Sequence, residues 1–108
     1  MSLDEKSCIP CQGGILPLSK DESAEFLQKI EGWSLSDVAT HISRNFEFKN
    51  FKDALVFVNK VGEIAENENH HPDITLGWGY VGIIIQTHKI NGLHENDFVL
   101  AAKINEIK

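Results

Sequence analysis

Twice in the middle of the chain the hydrophobic period changes, and those changes restrict the fold more than any other feature. Across residues 51–67, Phe51, Ala54, Leu55, Val58, Val61, Ile64 and Ala65 trace one helical face. Lys52, Asp53, Lys60, Glu63 and Glu66 lie largely outside it. Before this stretch, Ile42, Phe46 and Phe48 share a parity opposed to Ser43, Asn45, Glu47 and Lys49, the period of a half-buried strand. After it, residues 74–87 carry no acidic or basic side chain, and Val81, Ile83 and Ile85 alternate with Gly82, Ile84 and Gln86. Gly77 and Gly79 flank Trp78 and mark a bulge or turn, so one bent strand or two strands fit equally well.

The flanks complete the pattern. Ser19 followed three residues on by Glu22 reads as a capping box, with Ala24, Leu27 and Ile30 at helical spacing and Gly32 as the stop. This predicts a helix near residues 20–30. Residues 33–36 and 41–49 suggest an antiparallel hairpin. Asn91-Gly92 marks a turn, and a last helix is expected over residues 95–107, its core face made by Phe98, Ala101, Ala102 and Ile104. Asp97 falls in its first turn, where a carboxylate favours the helix dipole. The order α-β-β-α-β-β-α lacks obligatory parallel crossovers. It predicts a two-layer α+β domain: a four-stranded antiparallel sheet with helices on one face.

The expected domain spans residues 19–108, behind an irregular leader at 1–18 that contains Pro10, Pro17 and a Gly pair. A chain of 108 residues with 42% hydrophobic and 24% charged residues has material for one modest core. Sixteen acidic against ten basic residues give a net charge of −6, which opposes nucleic acid or an anionic membrane as partner. No run approaches the ~20 apolar residues of a membrane-spanning helix, and Met1 to Lys6 show no apolar signal region. The expected compartment is the cytoplasm. Cys8 and Cys11 form a lone C-x-x-C without the second pair of a zinc ribbon or the βαβ setting of a redox motif. A reduced arm is the plainest account of them; weak metal binding or an occasional disulfide are the alternatives.

Five histidines in so short a chain are the unusual count. His70 and His71 leave the second helix together, Pro72 shapes the bend, and His88 follows the apolar strand region. Glu66 stands one turn before His70, and Asp97 opens the last helix. Imidazole is the side chain that most readily serves as both acid and base near neutral pH, and neighbouring carboxylates can orient it. No Ser-His-Asp or Cys-His set supports covalent catalysis. Spacing alone leaves three readings open: structural histidines, acid–base catalysis and metal ligation. His94 is expected to cap the last helix and His41 to begin a strand; neither is assigned to a site.

The spacing Glu66-x3-His70-His71-Pro72-x5-Trp78-x9-His88-x8-Asp97 resembles the signature of the pterin-4a-carbinolamine dehydratases. Gly32-Trp33, Phe46-x-Phe48, Phe51 and Thr87-His88 extend the likeness from Ser19 to Lys108, and the cysteine-containing start suits a bacterial member. The resemblance implies dehydration of 4a-hydroxytetrahydropterin to quinonoid dihydropterin, recycling the cofactor of an aromatic amino-acid hydroxylase. It implies His70, His71 and His88 as the catalytic core, with His70 and His88 exchanging protons and His71 binding the pterin. Asn69, Gln86, Thr87 and Lys89 correspond to pterin-lining positions, Glu66 and Asp97 to orienting partners, and Trp78 is expected to pack beside the pocket. Asn69 replaces a frequent aspartate, and Lys89 an acidic residue of animal members. No metal or other cofactor is implied. A homodimer or homotetramer is expected, both from the family and from exposed sheet edges. Relatives on this fold also serve as a transcriptional coactivator or a carboxylase assembly factor, so a non-catalytic protein-binding module is the alternative.

Overall fold

The structure, a computed structural model, describes residues 3–6 and 16–107; Cys8 and Cys11 lie outside the described residues. In chain order the elements are α1 (Lys20–Leu27), β1 (Ser34–Leu35), β2 (Ile42–Glu47), α2 (Phe51–Glu68), β3 (Asp73–Gly77), β4 (Tyr80–Ile85) and α3 (Glu95–Asn105). Single 3-10 turns occupy Leu3–Glu5 and His88–Ile90. The expected α+β architecture is present, with strand order β1-β2-β4-β3 and every pairing antiparallel.

Each helix start has a local chemical cause. Ser19 Oγ accepts from the Glu22 amide at 3.1 Å, and Glu22 Oε1 accepts from the Ser19 amide at 2.9 Å, so two orphan donors are satisfied reciprocally. Those bonds, the backbone one foremost, hold the Glu22 carboxyl below its ordinary pKa. Asn50 caps α2 by accepting from the Asp53 amide at 2.8 Å. His94 caps α3, its Nδ1 accepting from the Asn96 amide at 3.3 Å.

Register explains the core. Ile42 pairs with Ile85, Arg44 with Ile83 and Phe46 with Val81, while Ile74 and Leu76 of β3 pair with Ile83 and Val81. Because side chains alternate along a strand, these share the helix-facing side. Ile42, Val81, Ile83 and Ile85 are fully buried there. The stretch from 74 to 87 resolves into two strands joined at Trp78-Gly79, since Gly77 pairs directly with Tyr80. Gly79 takes φ +80, and a Cβ there would stand 3.0 Å from the Phe48 carbonyl, so the turn needs glycine.

The structure corrects three details. The buried stripe of α2 is Ala54, Phe57, Val61 and Ala65, whereas Phe51 and Leu55 are 44% and 40% exposed. At about 100° per residue, the apolar side chains expected on one face spread over roughly half the helix, wider than the contact with the sheet. Phe57, not named among the expected core residues although it lies between Ile64 and Val61 on the helical wheel, packs on Phe46 and Phe48 with ring centroids 4.6 and 5.1 Å away. Second, α3 is buried nearly all round, Val99 and Leu100 included, because it packs against α1, α2 and the Leu3–Glu5 turn. Third, that turn belongs to a stretch expected to be irregular, yet Leu3 enters the core and Asp4 O accepts from Lys103 Nζ at 2.9 Å.

Candidate active site

Three chain segments meet at one end of the β3–β4 hairpin. The first is the exit of α2. Asn69 adopts the left-handed conformation (φ 52) that ends the helix, and asparagine tolerates it better than most residues. His70, His71 and Pro72 then lead into β3. The second segment leaves β4: Asp73 pairs with Ile84, so the start of β3 lies beside the end of β4 and the Gln86 to Lys89 turn that follows. Hydrogen bonds between Thr87 and Gly92, 2.9 Å and 3.4 Å long, close this turn. The third segment is the start of α3, carrying Asp97.

Each of the three candidate histidines faces a carboxylate. His70 Nε2 lies 2.6 Å from Asp97 Oδ1, with the imidazole 12% exposed and the carboxylate fully buried. A carboxylate accepts only, so His70 Nε2 carries the shared proton and Nδ1 is the nitrogen left for a ligand. The other oxygen, Asp97 Oδ2, accepts from the Thr87 hydroxyl at 2.8 Å and the His94 amide at 2.8 Å. Three donors thus satisfy a buried acid, as burial of such a group demands. His71 Nε2 meets Glu66 Oε2 at 2.5 Å, both side chains being more than half exposed. His88 Nε2 stands 3.8 Å from Asp73 Oδ2, and both are about two-thirds exposed. One histidine is held firmly, and two stand on the surface beside solvated acids.

Glu66, Asn69, His70, His71, Thr87, His88 and Asp97 therefore belong to one neighbourhood, with Gln86 and Lys89 flanking His88 in sequence. Trp78 does not. It lies at the opposite end of the hairpin, 73% exposed and five strand residues from Asp73, about 16 Å at ~3.3 Å per residue. Its expected place beside the pocket is not its place in this chain, because the hairpin turn carries it away from the histidines. Thr87, expected among the lining residues, is buried and turns its hydroxyl inward to Asp97. Asp73 is the residue that sequence reasoning missed. The available signal was an acid just beyond His71-Pro72, on a strand whose antiparallel partner leads to His88. His94 caps α3 as expected, and His41 Nδ1 lies 3.3 Å from Thr40 Oγ1. Among the described residues no three His, Cys, Asp or Glu side chains converge as metal ligands would. A separate groove of about 780 Å³ lies between β2, α2 and the end of α3, and no histidine lines it.

An open antiparallel sheet backed by three helices, with a histidine pair leaving the central helix and a third beyond the hairpin, defines a recognisable class. The sequence model of the pterin 4 alpha carbinolamine dehydratase family matches residues 16–107, and the chain belongs to that family. A Methylococcus capsulatus protein named "Putative pterin-4-alpha-carbinolamine dehydratase" is 56% identical over 106 residues, covering 98% of this chain and 93% of the relative. A Halorhodospira halophila protein of the same name is 55% identical over 107 residues, covering 99% and 98%. Among solved structures, a transcriptional coactivator/pterin dehydratase from Brucella melitensis superposes with a TM-score of 0.77 at 34% identity, covering 82% of this chain and 95% of the other. A pterin dehydratase-like RuBisCO assembly factor of the alpha-carboxysome shares the fold, with a TM-score of 0.60 at 20% identity over 69% of this chain and 87% of that one.

Proposed function

We propose that the protein dehydrates 4a-hydroxytetrahydropterin to quinonoid dihydropterin by histidine acid–base catalysis, regenerating the pterin used by an aromatic amino-acid hydroxylase. The observation that carries this reading is the His70–Asp97 pair at the edge of a surface that also presents His71 and His88. The reaction breaks the C4a–O bond, removes a proton from a ring nitrogen and forms a C=N bond. Water leaves, and no electrons are gained or lost. It needs one proton donor at the hydroxyl and one acceptor at the ring, both held in place.

His70 suits the acceptor. Asp97 holds its Nε2–H, so Nδ1 points its lone pair to the ligand, and the buried carboxylate faces the charge the ring acquires. His88, exposed and beside Asp73, suits the donor that protonates the departing hydroxyl. His71, beside Glu66, binds and orients the pterin, with Asn69, Gln86 and Lys89 lining the ligand. The protein acts in the cytoplasm as a homodimer or homotetramer.

The test is turnover of synthetic 4a-hydroxytetrahydropterin by the purified protein. His70→Ala and His88→Ala are each expected to lower kcat by about 10²- to 10⁴-fold while circular dichroism remains that of the native chain. A folded double variant that dehydrates at the wild-type rate would overturn the assignment. A folded wild-type protein with no turnover would point instead to a non-catalytic binding module on the same fold.

A further inference from the structure

We infer that Thr87 is a positioning residue, whose hydroxyl fixes the Asp97 carboxylate so that His70 presents Nδ1 to the substrate. This rests on the dehydratase reading for its catalytic consequence. The geometry behind it stands apart from that reading.

Asp97 has two oxygens with different tasks. Oδ1 faces His70 Nε2, while Oδ2 receives the Thr87 hydroxyl and the His94 amide, each at 2.8 Å. The amide belongs to the helix cap and is present whatever residue 87 is. The hydroxyl is a side-chain donor, from a different element, on the same oxygen. A carboxylate can rotate about its Cβ–Cγ bond, and a single donor on Oδ2 restrains that rotation less than two donors from different elements.

Thr87 is well placed for this restraint. It is 3% exposed, and its backbone is pinned by two hydrogen bonds to Gly92. Its neighbour in sequence is His88, so the segment that carries the exposed histidine also anchors the buried dyad. The hydroxyl is engaged by a fully buried carboxylate and is shielded from solvent. The side chain therefore acts through Asp97 and His70 and does not touch the substrate.

Three substitutions separate the hydroxyl from the rest of the side chain. Thr87→Val keeps the shape, Thr87→Ser keeps the hydroxyl, and Thr87→Ala lacks both hydroxyl and methyl. The Ser and Ala variants differ only in the hydroxyl, so that pair decides the matter if Val is poorly accommodated. Two readouts are made on the full chain: steady-state kinetics with 4a-hydroxytetrahydropterin, and the NMR signal of the His70 Nε2–H proton. Val and Ala are expected to lose about 10- to 100-fold in kcat with KM changed less than about threefold, and to shift or broaden that proton signal. Ser should restore both to near wild type.

Wild-type kcat in Val and Ala, or a lost kcat with an unmoved proton signal, would overturn the positioning role. A raised KM with unchanged kcat would overturn it in favour of direct substrate contact. If the wild-type protein itself has no turnover, the dehydratase reading fails, and the proton signal alone decides. A shift in Ala restored in Ser upholds the Thr87–Asp97–His70 relay, and an unmoved signal removes it.

Discussion

Asp97 concentrates more of the site than any other residue, since it accepts from His70, Thr87 and the His94 amide with no contact to solvent. Two substitutions should separate its roles. Asp97→Ala leaves three donors without an acceptor and is expected to destabilise the fold by about 3–5 kcal/mol, measured by urea unfolding. Asp97→Asn keeps the volume but offers an amide that can face His70 with its NH2, favouring the wrong imidazole tautomer. It should remain folded while losing at least ~100-fold in kcat; full activity in a folded Asn variant would contradict the dyad. Sequence reasoning placed Asp97 in a helix first turn and, through the family resemblance, beside the histidines. Its bond to Thr87 could not be read, because a threonine after a strand has no local mark of which way its hydroxyl turns. Asp73 was missed for the related reason that its partner His88 is brought near only by strand pairing.

Among the elements, those whose cause is local were legible and those shaped by packing were not. The capping box of α1 is visible as Ser19 and Glu22, and the structure realises both of its bonds. Ser19→Ala is expected to cost about 1 kcal/mol by thermal unfolding. The Glu22 carboxyl, whose pKa is lowered by the Ser19 amide and then by the Ser19 hydroxyl, adds a pH dependence. Its folded value lies below its unfolded one, so its contribution is complete above the unfolded pKa and fades as pH falls through the folded one. The stability difference between wild type and Glu22→Gln should therefore be largest near neutral pH and shrink in acid; a difference that grew in acid would contradict the assignment. By contrast, the inner stripe of α2 was displaced towards Phe57 because its apolar arc exceeds what the sheet can cover. The all-round burial of α3 has no sequence signature beyond a high apolar content, since several neighbours cover it at once.

For the whole molecule, the alternation of helical and strand periods was enough to establish the layer architecture and its antiparallel connectivity. How far each strand pairs was not. β1 contributes only Ser34 and Leu35, so among the described residues β2 from Arg44 onward has no strand on that side, and β3 forms the other edge. Exposed edges of this kind offer unpaired backbone groups with which another chain can pair. Light scattering should accordingly give two or four times the mass of one chain, and a strictly monomeric protein at micromolar concentration would contradict the expected homo-oligomer. No helix among the described residues is long and apolar enough to cross a membrane.

The double use of Asp97, as acceptor of the His94 cap amide and as anchor of His70, ties the orientation of His70 to the last helix of the chain. His70 emerges 27 residues before the carboxylate that holds it. A chain without α3 lacks the carboxylate that faces His70 Nε2. α3 also brings Phe98, Leu100 and Ile104 into the core, so the element that completes the core is the one that orients His70.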